Sequence, residues 1–218
     1  MDGISAVSIR FDLRCHGASQ GKYEDLTLAG VINDVDSAVN ELRKHVPTHV
    51  PLIIIAASFS GGLASYWAFE NSNKLHSLVL LNPVLNYGEH MLFSKWFWNN
   101  DKISVKGNEI LKTQGWLPHG EFRMGPKLLD ELSDLKLFEK MKYLSIPILV
   151  VHGNKDSMVS FEIAQKYSDS NNNSTFEIIN GAEHGFVSPN DENLTHPDTI
   201  HFRDIVFEKV FKWIKDNA

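Results

Sequence analysis

The stretch that decides the fold is IIIAASFSGG, residues 53–62. Its apolar run stops abruptly at small residues, contains two serines and leads into a segment of helical character, GLASYWAFE. Together with the preceding Pro-Leu, the run is short and continuously apolar, which is typical of a parallel strand buried on both faces. In a parallel α/β sheet, ligands bind beyond the carboxyl ends of the strands. The serines that follow this run are therefore candidates for a functional site.

The same alternation of strand and helix continues along the chain. Apolar or β-branched runs predict further strands in ISAVSIRF (4–11), HSLVLLN (76–82), IPILVVHG (146–153) and STFEIING (174–181). Apolar residues at helical spacing predict helices in LTLAGVINDVDSAVNEL (26–42), SFEIAQKYSD (160–169) and FRDIVFEKVFKWIKD (202–216). This pattern predicts an α/β fold with a mostly parallel sheet covered by helices on both faces.

One region interrupts the alternation. Residues 83–143 form a long insertion with aromatic clusters, FSKWFWNN and GWLPHGEF, and one helix candidate, PKLLDELSDLKLFEKM. We interpret it as a lid-like insertion within a single domain, residues 1–218, because long insertions at the ligand end of such a sheet are often functional. The alternative is a helical excursion packed on the core.

Composition excludes several classes of protein. The chain has 218 residues, of which 43% are hydrophobic, and this is enough for one globular domain with a real core. A net charge of −6 without any Lys/Arg-rich block argues against nucleic acid or an anionic membrane as partner. The single cysteine, Cys15, and the absence of a signal-like start or a long apolar run predict a cytoplasmic protein. His45 and His49 lack a metal-binding pattern, and we expect neither a metal nor a cofactor.

Three polar residues follow three of the predicted strands. Ser58 follows PLIIIAA, Asp156 follows ILVVHGNK, and His184 follows FEIINGAE. A serine hydroxyl becomes a nucleophile when a base removes its proton, and the base in turn needs an orienting carboxylate. The chain order Ser, Asp, His is the order that α/β-hydrolases use.

The chain resembles the α/β-hydrolase superfamily from its first predicted strand to its last helix. FDLRCHGASQG resembles the D-x-R-G-H-G-x-S segment of that family, with Cys15 where glycine is usual; HGNKDSMV matches the segment that carries the aspartate, and GAEHGF the one that carries the histidine. The spacing is most similar to that of small bacterial cinnamoyl and feruloyl esterases. The resemblance implies a serine esterase that acts on small aromatic or acyl esters, with Ser58, Asp156 and His184 as catalytic residues.

The nucleophile could be either of two serines. With Ser58 as nucleophile, the positions two before and two after it are Ala56 and Ser60, both small. With Ser60, they are Ser58 and Gly62, nominally closer to G-x-S-x-G. We favour Ser58 because it stands three residues after the last large strand residue, Ile55. AASFS also resembles the elbow of the acyltransferases of bacterial luminescence, in which the first serine is the nucleophile. Either serine could instead serve as a helix N-cap.

Further site residues follow from this assignment. The amide of Phe59, next to Ser58, is the candidate for one oxyanion-hole donor, and a second donor has no candidate. The aromatic residues of the insertion either line an acyl pocket or pack the insertion on itself: Phe93, Trp96, Phe97 and Trp116.

The amino end departs from the resembled family. There, three strands precede the counterpart of ISAVSIRFD, the third ends in an H-G-type oxyanion loop, and one strand lies between that counterpart and PLIIIAA. This sequence appears without those first strands, so we expect either a fragment of a longer protein or direct pairing of ISAVSIRFD with PLIIIAA. Alternative functions are therefore an acyltransferase or thioesterase, suggested by AASFS, and a non-catalytic protein of hydrolase fold. The substrate, a small-molecule ester or acyl compound, and the oligomeric state are not specified further.

Overall fold

The computed structural model describes residues 6–217. The strands are β1 (Ile53–Ala57), β2 (Ser77–Leu81), β3 (Trp98–Asn99), β4 (Lys102–Ile103), β5 (Leu117–His119), β6 (Phe122–Met124), β7 (Ile148–Gly153) and β8 (Ser174–Ile179). The helices are α1 (Leu28–Arg43), α2 (Phe59–Glu70), α3 (Val105–Gln114), α4 (Pro126–Asp134), α5 (Leu137–Met141), α6 (Phe161–Asp169) and α7 (Pro197–Asn217), with a 3₁₀ turn at Tyr23–Asp25 and a π-helical turn at Gly88–Phe93. None of the helices between residues 6 and 217 has the length and apolar character needed to cross a membrane.

These elements form two compact units. The first comprises residues 49–85 and 137–217, and the second comprises residues 6–48 and 86–136. The predicted insertion, residues 83–143, thus contributes most of its length to the second unit, together with the amino-terminal residues.

The first unit is built on a parallel sheet of four strands in the order β1-β2-β7-β8. The last residue of β1, Ala57, pairs with Leu81 at the end of β2, and Leu81 pairs with Val151 near the end of β7. Gly153 at the end of β7 pairs with Ile179 at the end of β8. Because all four strands are parallel, the loops after β1, β7 and β8 leave from the same end of the sheet, the end at which the strands have their carboxyl termini. Those are the loops that carry Ser58, Asp156 and His184.

The two central strands confirm the prediction of burial on both faces. All six residues of β7 and the first four of β2 are buried. On one face, apolar residues of these strands pack with the amphipathic helix α7. The buried core there consists of Val79, Leu149, Val151, Ile179, Ala182, Phe186 and Val206.

The prediction of a strand in residues 4–11 is wrong over the described part. Residues 6–11 form no strand, and Val7, Ile9 and Phe11 are 63%, 42% and 43% exposed; residues 4 and 5 lie outside the described residues. Direct pairing with PLIIIAA, one of the two alternatives left by the sequence, is not found, since no strand within residues 6–217 pairs with the free edge of β1. High β-propensity does not make a strand without a partner for its backbone hydrogen bonds.

The free edge also changes the burial of β1. Ile55 is 54% exposed, so the prediction that this strand is buried on both faces is wrong at that residue. Ala56 is buried and points to the opposite face. β1 is therefore an edge strand with one apolar side chain open to solvent.

The second unit packs the amino-terminal residues with the insertion. The rings of His16, Tyr23 and Phe122 lie 5.0–5.3 Å apart, centroid to centroid. The amide of Leu28 at the start of α1 donates a hydrogen bond to the Glu131 carboxylate on α4, 2.5 Å away. The insertion therefore does not pack only on itself.

Two local details differ from the sequence expectation. The helix predicted over 126–141 is broken, since Leu135 between α4 and α5 has an extended backbone. Cys15, at the position where the resembled segment has glycine, has φ 67°. Glycine adopts that left-handed conformation without strain, which explains its usual presence there.

Candidate active site

Ser58 occupies a strained turn between β1 and α2. Its backbone has φ 50° and ψ −125°, a region that side chains disfavour and that costs about 1–3 kcal/mol. The Ser58 amide donates to the carbonyl of Leu81 (2.9 Å), and its own carbonyl accepts from Gly61 and Val84 (both 2.9 Å). Although Ser58 stands at the N-cap position of α2, its side chain makes no capping hydrogen bond. Its hydroxyl is therefore not used to cap the helix.

Ser60 has a different role in the same turn. Its Oγ donates to the carbonyl of Ala57 (2.8 Å) and accepts from the amide of Ala57 (3.2 Å). This side chain closes the backbone of the turn. The two serines that the sequence left as alternatives therefore have different hydrogen-bond partners.

The turn requires small residues on the side of the following helix. A Cβ on Gly61 would lie 2.5 Å from Cβ of Pro83, in the loop after β2. Ala64 and Ala68, one and two turns further along α2, are 4% and 0% exposed. The first turns of α2 therefore approach the neighbouring backbone closely, which fixes the direction in which Ser58 points.

His184 bridges the other two predicted site residues. Its Nε2 lies 2.9 Å from Oγ of Ser58, and its Nδ1 lies 2.8 Å from Oδ2 of Asp156. With Nδ1 protonated, the ring donates to the carboxylate and presents the Nε2 lone pair to the hydroxyl. The His184 side chain is 18% exposed and that of Asp156 is fully buried. All three residues belong to the first unit.

Asp156 is surrounded by hydrogen-bond donors. Its Oδ1 accepts from the amides of Met158 (3.0 Å) and Val159 (2.8 Å), and its Oδ2 accepts from His184. Nε2 of His152 lies 3.2 Å from the same Oδ2. Burial raises the pKa of Asp156, but the contacts with His152, His184 and the Val159 amide outweigh it and hold that pKa well below its usual range. The carboxylate is therefore ionised at neutral pH.

Polar contacts that the sequence analysis missed tie the Asp156 and His184 loops together. The Glu183 carboxylate accepts from the amide (2.9 Å) and the hydroxyl (2.8 Å) of Ser157. The amide of Lys155 donates to the carbonyl of Ala182 (3.0 Å). Glu183 and Ser157 are the immediate neighbours of His184 and Asp156, and that adjacency was the available signal.

Another missed contact joins β2 to β7. Asn82, 2% exposed and with φ 43°, accepts a hydrogen bond from the amide of Gly153 through its Oδ1 (2.9 Å). The backbone N–H of Asn82 donates to the carbonyl of Val151 (2.8 Å). This residue fixes the ends of the two central strands relative to each other.

The remaining predicted site residues divide between the two units. Phe59 is the first residue of α2, where backbone N–H groups point out of the helix end. In the second unit, Phe93 and Trp96 are 46% and 52% exposed, whereas Phe97 is fully buried. Trp116 packs under the guanidinium of Arg123, 5.1 Å from the ring centroid. Phe97 is therefore packed inside the second unit, where its ring meets that of Trp96 edge to face.

The described residues contain no metal-binding cluster. Among residues 6–217, no three His, Cys, Asp or Glu side chains are grouped so that they could hold a metal ion. The chemistry that the arrangement offers is that of a hydroxyl, an imidazole and a buried carboxylate in hydrogen-bonded series.

The chain matches one family model and many solved structures. Residues 3–107 match the family described as serine aminopeptidase, S33 (Hydrolase_4). No curated protein sequence matches the chain significantly.

The similar solved structures share the fold at low identity. Est1E of Butyrivibrio proteoclasticus, solved with ferulic acid bound, is 21% identical, with 91% of this chain and 75% of that chain covered and a TM-score of 0.66. A hydrolase from Agrobacterium vitis S4 is 16% identical, with coverages of 91% and 74% and a TM-score of 0.64. The monoacylglycerol lipase of Paleococcus ferrophilus is 17% identical, with coverages of 95% and 82% and a TM-score of 0.61. Residues 3–107 are thus similar to that family, and the chain has the fold of the α/β-hydrolases.

Proposed function

We propose that this protein is a serine hydrolase that cleaves carboxylic esters, with Ser58 as nucleophile, His184 as general base and Asp156 as the residue that orients the imidazole. The observation that carries the proposal is the continuous series of contacts from Ser58 Oγ through both nitrogens of His184 to the Asp156 carboxylate, at 2.9 and 2.8 Å. The separate use of Ser60 to close the turn supports the choice of Ser58.

The proposed reaction has two halves. As Ser58 Oγ attacks the ester carbonyl, His184 Nε2 takes its proton and then passes it to the leaving alkoxide, which leaves an acyl-enzyme. Water then attacks the carbonyl of the acyl-enzyme and gives a proton to His184. His184 passes that proton to Ser58 Oγ as the acid is released. The ionised Asp156 stabilises the imidazolium in both halves, and the amide of Phe59 donates to the oxyanion.

The substrate class we propose is small aromatic or acyl esters. Est1E, with ferulic acid bound, and the monoacylglycerol lipase support an acyl or aryl ester over a peptide. In the second unit, Phe93 and Trp96 have exposed aromatic side chains, the kind of side chain that binds acyl and aryl groups.

The test of the nucleophile is labelling of the purified chain with a fluorophosphonate, followed by mass spectrometry of the modified peptide. We expect label on Ser58 that is lost in Ser58→Ala and strongly reduced in His184→Ala. The matched control is Ser60→Ala, a change of the same kind two residues away, which should still be labelled. Label on Ser60, or no label on folded wild-type protein, would overturn the proposal; the second result would favour a non-catalytic protein of this fold.

A second candidate reaction is acyl transfer or thioester hydrolysis, favoured by the AASFS turn. The same acyl-enzyme would then form from a thioester, or pass its acyl group to an alcohol. Turnover of 4-nitrophenyl acetate and of a short acyl thioester should be compared, with and without added alcohol. Faster thioester cleavage, or ester product formed in the presence of alcohol, would replace the esterase assignment.

A further inference from the structure

A second histidine lies against the carboxylate of Asp156. His152, the penultimate residue of β7, is fully buried, and its Nε2 lies 3.2 Å from Asp156 Oδ2 and 3.2 Å from the carbonyl oxygen of Val159. Asp156 Oδ2 therefore has an imidazole nitrogen on two sides, His184 Nδ1 at 2.8 Å and His152 Nε2. Of these two rings, the mechanism above uses only His184.

The surroundings of His152 define which nitrogen carries its proton. Nδ1 is buried and has no hydrogen-bond partner among the described residues, while Nε2 faces two oxygens. A proton on Nε2 satisfies the side facing the oxygens and leaves only a lone pair on Nδ1. A proton on Nδ1 would instead leave a buried N–H without an acceptor, which is unfavourable. The Nε2–H form is therefore the stable one.

Packing holds the ring in this position. Phe161, the first residue of α6, meets the His152 ring edge to face, with the centroids 5.9 Å apart, and Phe176 of β8 backs Phe161 at 5.4 Å. Asp156 and, from α6, Glu162 are charged groups that interact electrostatically with His152. At the same strand end, the uncharged Asn82 after β2 accepts a hydrogen bond from the amide of Gly153.

We propose that His152 is a positioning residue for the proposed site: its Nε2–H takes a share of the negative charge on Asp156 Oδ2 and fixes the plane of the carboxylate that orients His184. Asp156 then stabilises the imidazolium of His184 less than it would if His184 were its only ring partner. The same contact keeps the carboxylate aligned with His184 Nδ1 while the proton moves between Ser58, His184 Nε2 and the leaving alkoxide. The inference rests on the proposed function for its catalytic meaning, though not for its test.

The test compares three substitutions of His152 by NMR titration of the His184 ring in ¹³C-labelled protein. His152→Gln retains an N–H near the position of Nε2, whereas His152→Met removes the donor at similar volume. In the Met variant we expect the midpoint of the His184 titration to rise by about half a pH unit, a roughly threefold change in proton binding. The Gln variant should return to the wild-type value. His152→Asn, whose amide reaches only the position of Nδ1, should behave like Met and serves if Met does not fold.

A matched control separates this effect from loss of packing. Phe161→Leu disturbs the face of the same ring without changing the donor, and it should leave the His184 midpoint unchanged. The same midpoint in wild type, Met and Asn variants would overturn the inference and assign His152 to the Val159 carbonyl alone. A shift in Phe161→Leu as large as in Met would also overturn it.

The readout does not depend on catalysis. If Ser58 is never labelled but the His184 midpoint moves as described, the proposed function fails and the positioning role stands. If Ser58 is labelled in wild type, the acid limb of the pH–rate profile for labelling should move upward in the Met variant by the same amount and return in the Gln variant.

Discussion

β1 and β7 have similar sequences but different surroundings. Both are uninterrupted apolar runs, IIIAA and ILVVHG, and each ends just before a residue of the proposed triad. β7 lies between β2 and β8 and all its residues are buried, whereas β1 stands at the end of the sheet with Ile55 54% exposed. Continuous apolarity thus specifies a strand, but the place of that strand depends on partners far away in the chain.

The two strand ends also hold their residues of the proposed triad differently. After β7, the Asp156 carboxylate is fully buried and accepts hydrogen bonds on both oxygens. After β1, Ser58 depends on a turn with φ 50°, held by the Leu81 carbonyl and by the close approach of Gly61 to Pro83. The end of β7 is fixed by hydrogen bonds to a charged carboxylate, and the end of β1 is fixed by backbone geometry. Each can be broken separately.

The largest effect is expected at the end of β7. Asp156→Asn keeps the size of the side chain but removes the charge that, in the proposed mechanism, stabilises the imidazolium and selects the His184 tautomer. We expect kcat for 4-nitrophenyl acetate to fall by about 10⁴-fold. Asp34→Asn is the matched control, since that carboxylate also has a lowered pKa but is bonded to Arg14; it should change kcat by less than about tenfold. Retention of a tenth of the activity in Asp156→Asn would contradict the proposed role.

The second prediction tests burial in the two strands with one substitution. Ile148→Ala in β7 empties a fully buried site and should lower the free energy of unfolding by about 2–5 kcal/mol. Ile55→Ala in β1 removes a side chain that is already half exposed, and its effect should stay below about 1 kcal/mol. Urea unfolding of the two variants measures both. Equal losses would mean that the Ile55 side chain is covered in solution.

Local pattern was sufficient for the parts of the fold that satisfy their own hydrogen bonds or are buried throughout. Helical spacing placed α1, α6 and α7 within a few residues, because an amphipathic helix forms its bonds within one segment. The chain order Ser58, Asp156, His184 predicted residues that the structure brings within 2.9 Å of one another in series, because parallel strands end at one edge.

Pattern failed where the outcome depends on pairing or on packing between distant segments. ISAVSIRF has the composition of a strand, yet its described residues, 6–11, have no partner and form none. Likewise, Phe93 and Phe97 look equivalent in the sequence but differ from 46% to 0% exposure. The contact between His152 and Asp156 was hidden for a related reason: a histidine inside an apolar strand gives no sign of which polar atom it will meet.

The smallest effect is a pH dependence that separates the β7 end from the β1 end. The pKa of Asp156 in the folded state lies well below its usual range, while in the unfolded chain it is about 3.9. A carboxyl with a lowered folded pKa contributes stability that is fully present above the unfolded value and is lost as pH falls toward the folded one. The difference in unfolding free energy between wild type and Asp156→Asn should therefore shrink as the pH falls below about 4. Ser58→Ala, at the other strand end, should show a difference from wild type that does not vary over that range, because Ser58 carries no ionisable carboxyl. Urea unfolding between about pH 3 and 7 measures both differences, and an Asp156→Asn difference that stays constant below pH 4 would mean that His184, His152 and the Val159 amide do not stabilise the charged form.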